Sequence, residues 1–181
     1  MLRSWICLPL CFGVHTRAKQ TVDALMSDYI SCKDGILSAE GDEIVWDRST
    51  LYALRGFFAA GEMDKAYDML LDYSENRLLG DRVPYAVEAY PEYGMRHLSG
   101  ESSLYCKIFL DGILGIVPHG FDSFEFCPRL PKKLERFALR NIHAYGNVFD
   151  IELDVSGARV KLADGTLVYS GDIGKRAVVE F

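Results

Sequence analysis

Two glutamates four residues apart, Glu88 and Glu92, lie in the segment VPYAVEAYPEYGMRHLSGESSLYCKIFLDGILGIVPHG, which runs from Val83 to Gly120. Tyr85, Tyr90, Tyr93, Arg96 and His97 crowd around them, with Pro84 and Pro91 keeping the stretch irregular. Carboxylates, phenols and an imidazole crowded on a loop braced by a buried helix are what a polar-ligand or catalytic site needs. Glu88 and Glu92 are the candidates for catalytic carboxylates. Tyr90 and His97 are candidates to hold a polar substrate, His97 through a hydroxyl or as a proton carrier. The plainer reading is a tight connection whose polar groups satisfy backbone and whose glutamates form salt bridges.

A second patch, Trp46-Asp47-Arg48, has the side chains that suit a sugar: an indole for the apolar ring face, an acid and a guanidinium for the hydroxyls. It stands where a helix begins. The structural alternative makes Trp46 core, Asp47 or Ser49 the N-cap and Arg48 a surface partner of Asp47. Glu101 falls in the first turn of the next helix but one, where a carboxylate offsets the helix dipole.

Helices are predicted to position both patches. Ala18, Val22, Leu25, Met26 and Tyr29 recur at helical steps from about His15 to Tyr29. A helix begun by WDRSTLYALRGFFAAG buries Leu51, Leu54, Phe57 and Phe58. It is followed, across Gly61, by another on Met63, Ala66, Met69, Leu70 and Tyr73; so short a link makes an αα-hairpin. Between the first two helices, Gly35-Ile36-Leu37-Ser38 reads as a short extended piece. A strongly apolar helix spans about Ser99 to Leu114, stopped by Gly115 and Pro118.

Beyond Pro118 the period changes. Val148-Phe149-Asp150-Ile151-Glu152-Leu153-Asp154-Val155 alternates apolar with polar. Asp164-Gly165 separates two short apolar runs as a hairpin turn does, and Val178, Val179 and Phe181 end the chain as a strand. The fold class is α+β: a helical part over 1–118 and an antiparallel β-domain with one wet face over 119–181.

Composition narrows the partners. The 181 residues carry a formal charge of −6, which argues against a nucleic-acid backbone or an anionic membrane surface. The five cysteines have no framework or zinc spacing and are read as reduced, apolar core residues; neither a metal nor an organic cofactor is suggested. MLRSWICLPLCFGV superficially has the basic start and apolar run of a secretory signal. Pro9 interrupts it and no small-x-small site follows, so a buried segment of the fold is the preferred reading. It is far too short to span a bilayer. Localisation, cytoplasmic or periplasmic, stays open.

The ordered string WDRSTLYALRGF, LLGDRVPYAVEAYPE, RHLSGESSLYCKIFLDGILGIVPHGFDSFEFCPRLP and LRNIHAYGNVFDIEL resembles the C-terminal part of six-hairpin glycoside hydrolases, bacterial enzymes similar to α-L-rhamnosidases among them. The resemblance implies that the helices belong to a partial (α/α)6 toroid and that the Phe-rich strand ending in Pro-Arg-Leu-Pro opens a β-sandwich. It also implies an inverting, two-carboxylate glycosidase acting on a polysaccharide or oligosaccharide. It places the base in the Glu88 loop and takes the general acid from an earlier hairpin absent here. About four of twelve toroid helices are present, so a fragment of a longer enzyme is implied, and association through faces left for absent neighbours is expected. A non-catalytic carbohydrate-binding or structural remnant that needs a partner chain is the alternative.

Overall fold

The computed structural model describes residues 1–79, 88–90 and 99–181, and these divide into two compact units, Met1–Gly112 and Ile113–Phe181. The first is mainly helical. A 3-10 turn (Ser4–Cys7) runs into the short α1 (Leu8–Cys11), and α2 covers Ala18–Leu25. Helix α2 is shorter than its sequence period suggests: Met26 already leaves helical geometry, and Tyr29 is exposed in the turn that follows. Strands β1 (Ser31–Cys32) and β2 (Gly35–Ile36) form a tight antiparallel pair. Strand β3 (Val45–Trp46) then leads straight into α3 (Asp47–Ala59).

Helix α3 is the centre of this unit. Leu51, Leu54, Phe57 and Phe58 are fully buried, as their three- and four-residue spacing requires. Gly61 reverses the chain in the left-handed region (φ 88°), where an L side chain is strained, and its amide bonds the Phe58 carbonyl. Helix α4 (Met63–Leu78) returns against α3 and buries Ala66, Leu70, Tyr73 and Arg77.

Strand β4 (Ala89–Tyr90) pairs with β3, and α5 covers Ser99–Lys107. The single long helix expected to Leu114 changes winding instead: Ile108–Ile113 is a π-helical stretch. The wider turn places Gly112 where a Cβ would meet Phe58 of α3 at 2.8 Å, so only glycine fits.

The second unit is antiparallel throughout. One sheet has the order β10-β9-β8-β7, the other β11-β6-β5. Their ranges are β5 Val117–Pro118, β6 Ser123–Phe126, β7 Arg136–Ala144, β8 Asn147–Asp154, β9 Gly157–Leu162, β10 Leu167–Gly171 and β11 Ala177–Glu180. Strand β8 buries Phe149, Ile151 and Leu153 and turns Asp150, Glu152 and Asp154 outward, the period-two pattern of its sequence. The Asp164-Gly165 turn joins β9 to β10 as expected, Gly165 taking φ 90°.

Phe124 and Phe126 of β6 meet the first sheet inside. Phe124 stacks on Phe149 and Tyr145 at centroid distances of 6.0 and 5.3 Å, and Phe149 lies 4.7 Å from Phe181. This aromatic cluster is the core of the unit. Gly115 admits the Cys127 carbonyl oxygen to 2.5 Å from where a Cβ would stand, at φ 60°. The described chain is thus mixed α and β with antiparallel sheets, as the α+β class requires.

Candidate functional site

The pairing of β3 with β4 brings the two sequence patches together. Val45 faces Tyr90 and Trp46 faces Ala89. The Asp47 amide then donates to the Glu88 carbonyl oxygen at 3.0 Å, so Glu88 sits beside the start of α3. Glu88 and Tyr90 are half-buried, and the Trp46 ring is 40% exposed. Trp46, Asp47, Arg48, Glu88 and Tyr90 are therefore neighbours along one short ladder. Glu92 and His97, with Tyr85, Tyr93 and Arg96, lie outside the described residues.

Beneath that ladder is a buried charge pair. Asp47 and Arg77 are each at most 1% exposed, and Arg77 Nη2 donates to Asp47 Oδ1. The Tyr73 hydroxyl donates to Asp47 Oδ2 at 3.0 Å. Arg77 Nη1 reaches the Asp34 carbonyl oxygen at 3.3 Å, and the guanidinium lies over the Tyr90 ring, 4.5 Å from its centroid. A cation over a desolvated phenol face is favourable, and here it fixes the ring from below. Burial, and then the Asp47 charge, push the Tyr73 hydroxyl well above the ordinary phenol range, so it stays a donor.

The structural reading of the patch makes Asp47 or Ser49 the cap of α3. The cap position is Trp46 instead, with no side-chain cap bond, and Asp47 occupies the first helical turn with its carboxylate turned inward to Arg77 and Tyr73. Arg48 pairs not with Asp47 but with Glu101 of α5, donating through Nε at 2.8 Å and through Nη2 at 2.7 Å to Oε1. Glu101 is in the first turn of α5, as read, and is buried. Its Oε2 and the Nε of Arg77 are buried without a hydrogen-bond partner among the described residues.

Sequence reasoning missed Arg77, Tyr73 and the Arg48–Glu101 pair. One signal was available for the first two: Ala66, Leu70, Tyr73 and Arg77 follow one another at four-, three- and four-residue steps, which puts an arginine on the apolar stripe of α4. A charged residue in that register needs a buried partner.

Arg77 and Tyr73 also line a cleft of ≈ 380 Å³, with Asp34, Asp72, Lys33 and Lys65 at its wall. Of the cysteines, Cys7 is buried, Cys11 and Cys127 are half-buried, and Cys32 and Cys106 are exposed, which corrects their placement in the core.

Residues 121–169 match the family model Glycosyl hydrolase family 65, C-terminal domain. The match runs from the loop before β6 into β10, within the second unit, so the similarity to a glycoside hydrolase C-terminal domain lies there. It supports the glycoside hydrolase part of the resemblance, and its description names neither a rhamnosidase nor a toroid. No curated protein and no solved structure matches the chain. Among the described residues no helix is long and apolar enough to cross a membrane.

Proposed function

We propose that this chain is the C-terminal portion of a glycoside hydrolase that cleaves a polysaccharide or oligosaccharide with inversion, and that its helical unit is the end of an (α/α)6 toroid. The match of residues 121–169 to a glycosyl hydrolase C-terminal domain is the observation that carries this reading. In the reaction Glu88 takes a proton from water, the water oxygen bonds to the anomeric carbon, and the leaving oxygen departs with a proton from an acid on an earlier hairpin. Inversion needs the two carboxyl groups roughly 6.5–9.5 Å apart, with the water between them.

Trp46 and Tyr90 then offer faces to the sugar, while Glu92 and His97 bond its hydroxyls. Asp47 is fully buried and acts on the sugar only through what it holds. Arg48, half-exposed and steadied by Glu101, is the remaining hydroxyl ligand.

The test uses this chain together with whatever coding sequence precedes Met1 in frame. Glu88→Gln should lower kcat about 10²–10⁴-fold on a cleaved glycoside, with circular dichroism unchanged. Proton NMR of the first product formed should show the anomer opposite to the substrate's. Undiminished hydrolysis by the variant removes Glu88 from the mechanism, and a retained anomer removes the single-displacement route.

A further inference from the structure

Stability alone does not explain how Arg48 is held. Its guanidinium donates through Nε and Nη2 to the same oxygen of Glu101, Oε1, at 2.8 and 2.7 Å. Glu101 is 1% exposed, and its Oε2 has no hydrogen-bond partner among the described residues. A carboxylate withdrawn from water with one oxygen unused is costly, and an apolar pair in the same space is often as stable or more so. What the pair secures is direction. Both bonds use the side edge of the guanidinium, so its end edge, Nη1 with the outer hydrogen of Nη2, is turned away from Glu101. That side chain is 49% exposed and makes no other hydrogen bond or ion pair among the described residues.

The end edge of a guanidinium matches the two oxygens of a carboxylate, and a fork already fixed in place loses little freedom in using it. The neighbours of Arg48 indicate what carries that carboxylate. Trp46 stands two residues earlier at the end of β3 and is half-exposed. The ladder to β4 sets the half-buried Glu88 and Tyr90 beside it. An aromatic face next to hydrogen-bonding groups suits a pyranose ring. Arg48 and Glu101 together carry no net charge, so a singly charged group fits them better than a phosphate, which brings close to two charges.

We propose that Arg48 is a specificity-determining residue of this site and that its ligand is an acidic sugar, a hexuronate whose carboxylate lies against the free edge of the guanidinium. The inference rests on the glycoside hydrolase reading above and names its substrate class: at Arg48 a carboxylate takes the place of a hydroxyl. No bond forms or breaks there. Arg48 selects the sugar and orients it, and Glu101 is a positioning residue that acts through Arg48.

The test compares D-glucuronate, its methyl ester and D-glucose, which share one ring and differ at the carboxyl position, by isothermal titration into the chain. Glucuronate should bind about tenfold more tightly than either neutral sugar, and added salt should erode that margin without weakening glucose. Arg48→Met with Glu101→Leu removes the pair without stranding a buried charge; it should abolish the margin while glucose still binds. Arg48→Lys keeps the charge but loses the fork, and should retain only part of it. Equal or absent binding of the three sugars by the parent chain, or a margin that survives the double variant, would overturn the proposal. So would acetate or inorganic phosphate binding as tightly as glucuronate. None of these readouts needs turnover. A missing margin beside hydrolysis that Glu88→Gln abolishes fails the substrate class alone, and a clear margin beside undiminished hydrolysis fails the role of Glu88 alone. The parent comparison stands even if a variant fails to fold.

Discussion

The two units differ in one part of their interiors: the first sets an ion pair among its buried apolar side chains, and the second does not among its described residues. Among the described residues of Met1–Gly112 the largest fully buried side chain is an arginine, and it is matched by Asp47, Tyr73 and the face of Tyr90. In Ile113–Phe181 the interior is a cluster of aromatic rings, and the charges stand outside: Arg140 spans Asp150 and Glu152, and Arg159 meets Asp154. Apolar packing is forgiving of exact pairing, whereas a buried ion pair has one good arrangement and is poor at raising stability relative to a hydrophobic substitute. The aromatic unit therefore has the character of a scaffold. The charged interior fixes where β3 and β4 meet, and so where Glu88 lies.

Substitutions can break this contrast. Phe124→Ala empties the centre of the aromatic cluster and should cost the second unit about 3–5 kcal/mol, read as a lowered urea midpoint. Arg77→Met takes the guanidinium away from the buried Asp47 carboxylate and should cost the first unit a similar figure, about 3–5 kcal/mol. The sharper experiment adds Asp47→Leu to Arg77→Met. If the pair serves placement rather than stability, the double variant should recover most of that loss in chemical denaturation. Hydrogen exchange should still show the β3–β4 ladder loosened. A double variant as unstable as Arg77→Met alone would make the pair a source of stability after all.

A smaller effect is expected in acid. Two bonds from Ser156, followed by the Arg159 guanidinium, hold the Asp154 carboxyl down to about 2, below its ordinary 3.8. A depressed carboxyl contributes stability that is complete above the unfolded value and lost as pH falls through the folded one. The contribution should fade between about pH 4 and pH 2, and Asp154→Asn should flatten that limb of the acid titration. The group is exposed, so 1 M salt should shrink the difference between the two proteins.

What could be read in the sequence divides along the same line. The alternation of β8, the Asp164-Gly165 turn and the buried stripe of α3 were all legible, because each depends on residues next to one another in the chain. The pairings of Asp47 with Arg77, 30 residues away, and of Arg48 with Glu101, 53 away, were not. A local rule gave Asp47 the nearest unsatisfied amides as partners, and a distant cation prevailed. The winding change at Ile108–Ile113 escaped for a related reason: six residues are too short a run to tell a 3.6-residue period from a wider one. Of the candidate site, the proximity of Trp46-Asp47-Arg48 to Glu88 and Tyr90 was unreadable, since it rests on a two-residue ladder.

That ladder has a kinetic corollary. Joining Trp46 to Ala89 closes a loop that contains the whole of α3 and α4, and the entropy of such a closure must be met before its few bonds return anything. The α3–α4 hairpin depends only on nearby contacts, and once Asp47 and Arg77 have met across it the chain left to close is far shorter. Glu88 should consequently arrive late in folding and leave early in unfolding, with the Asp47 amide among the first of its helix to exchange.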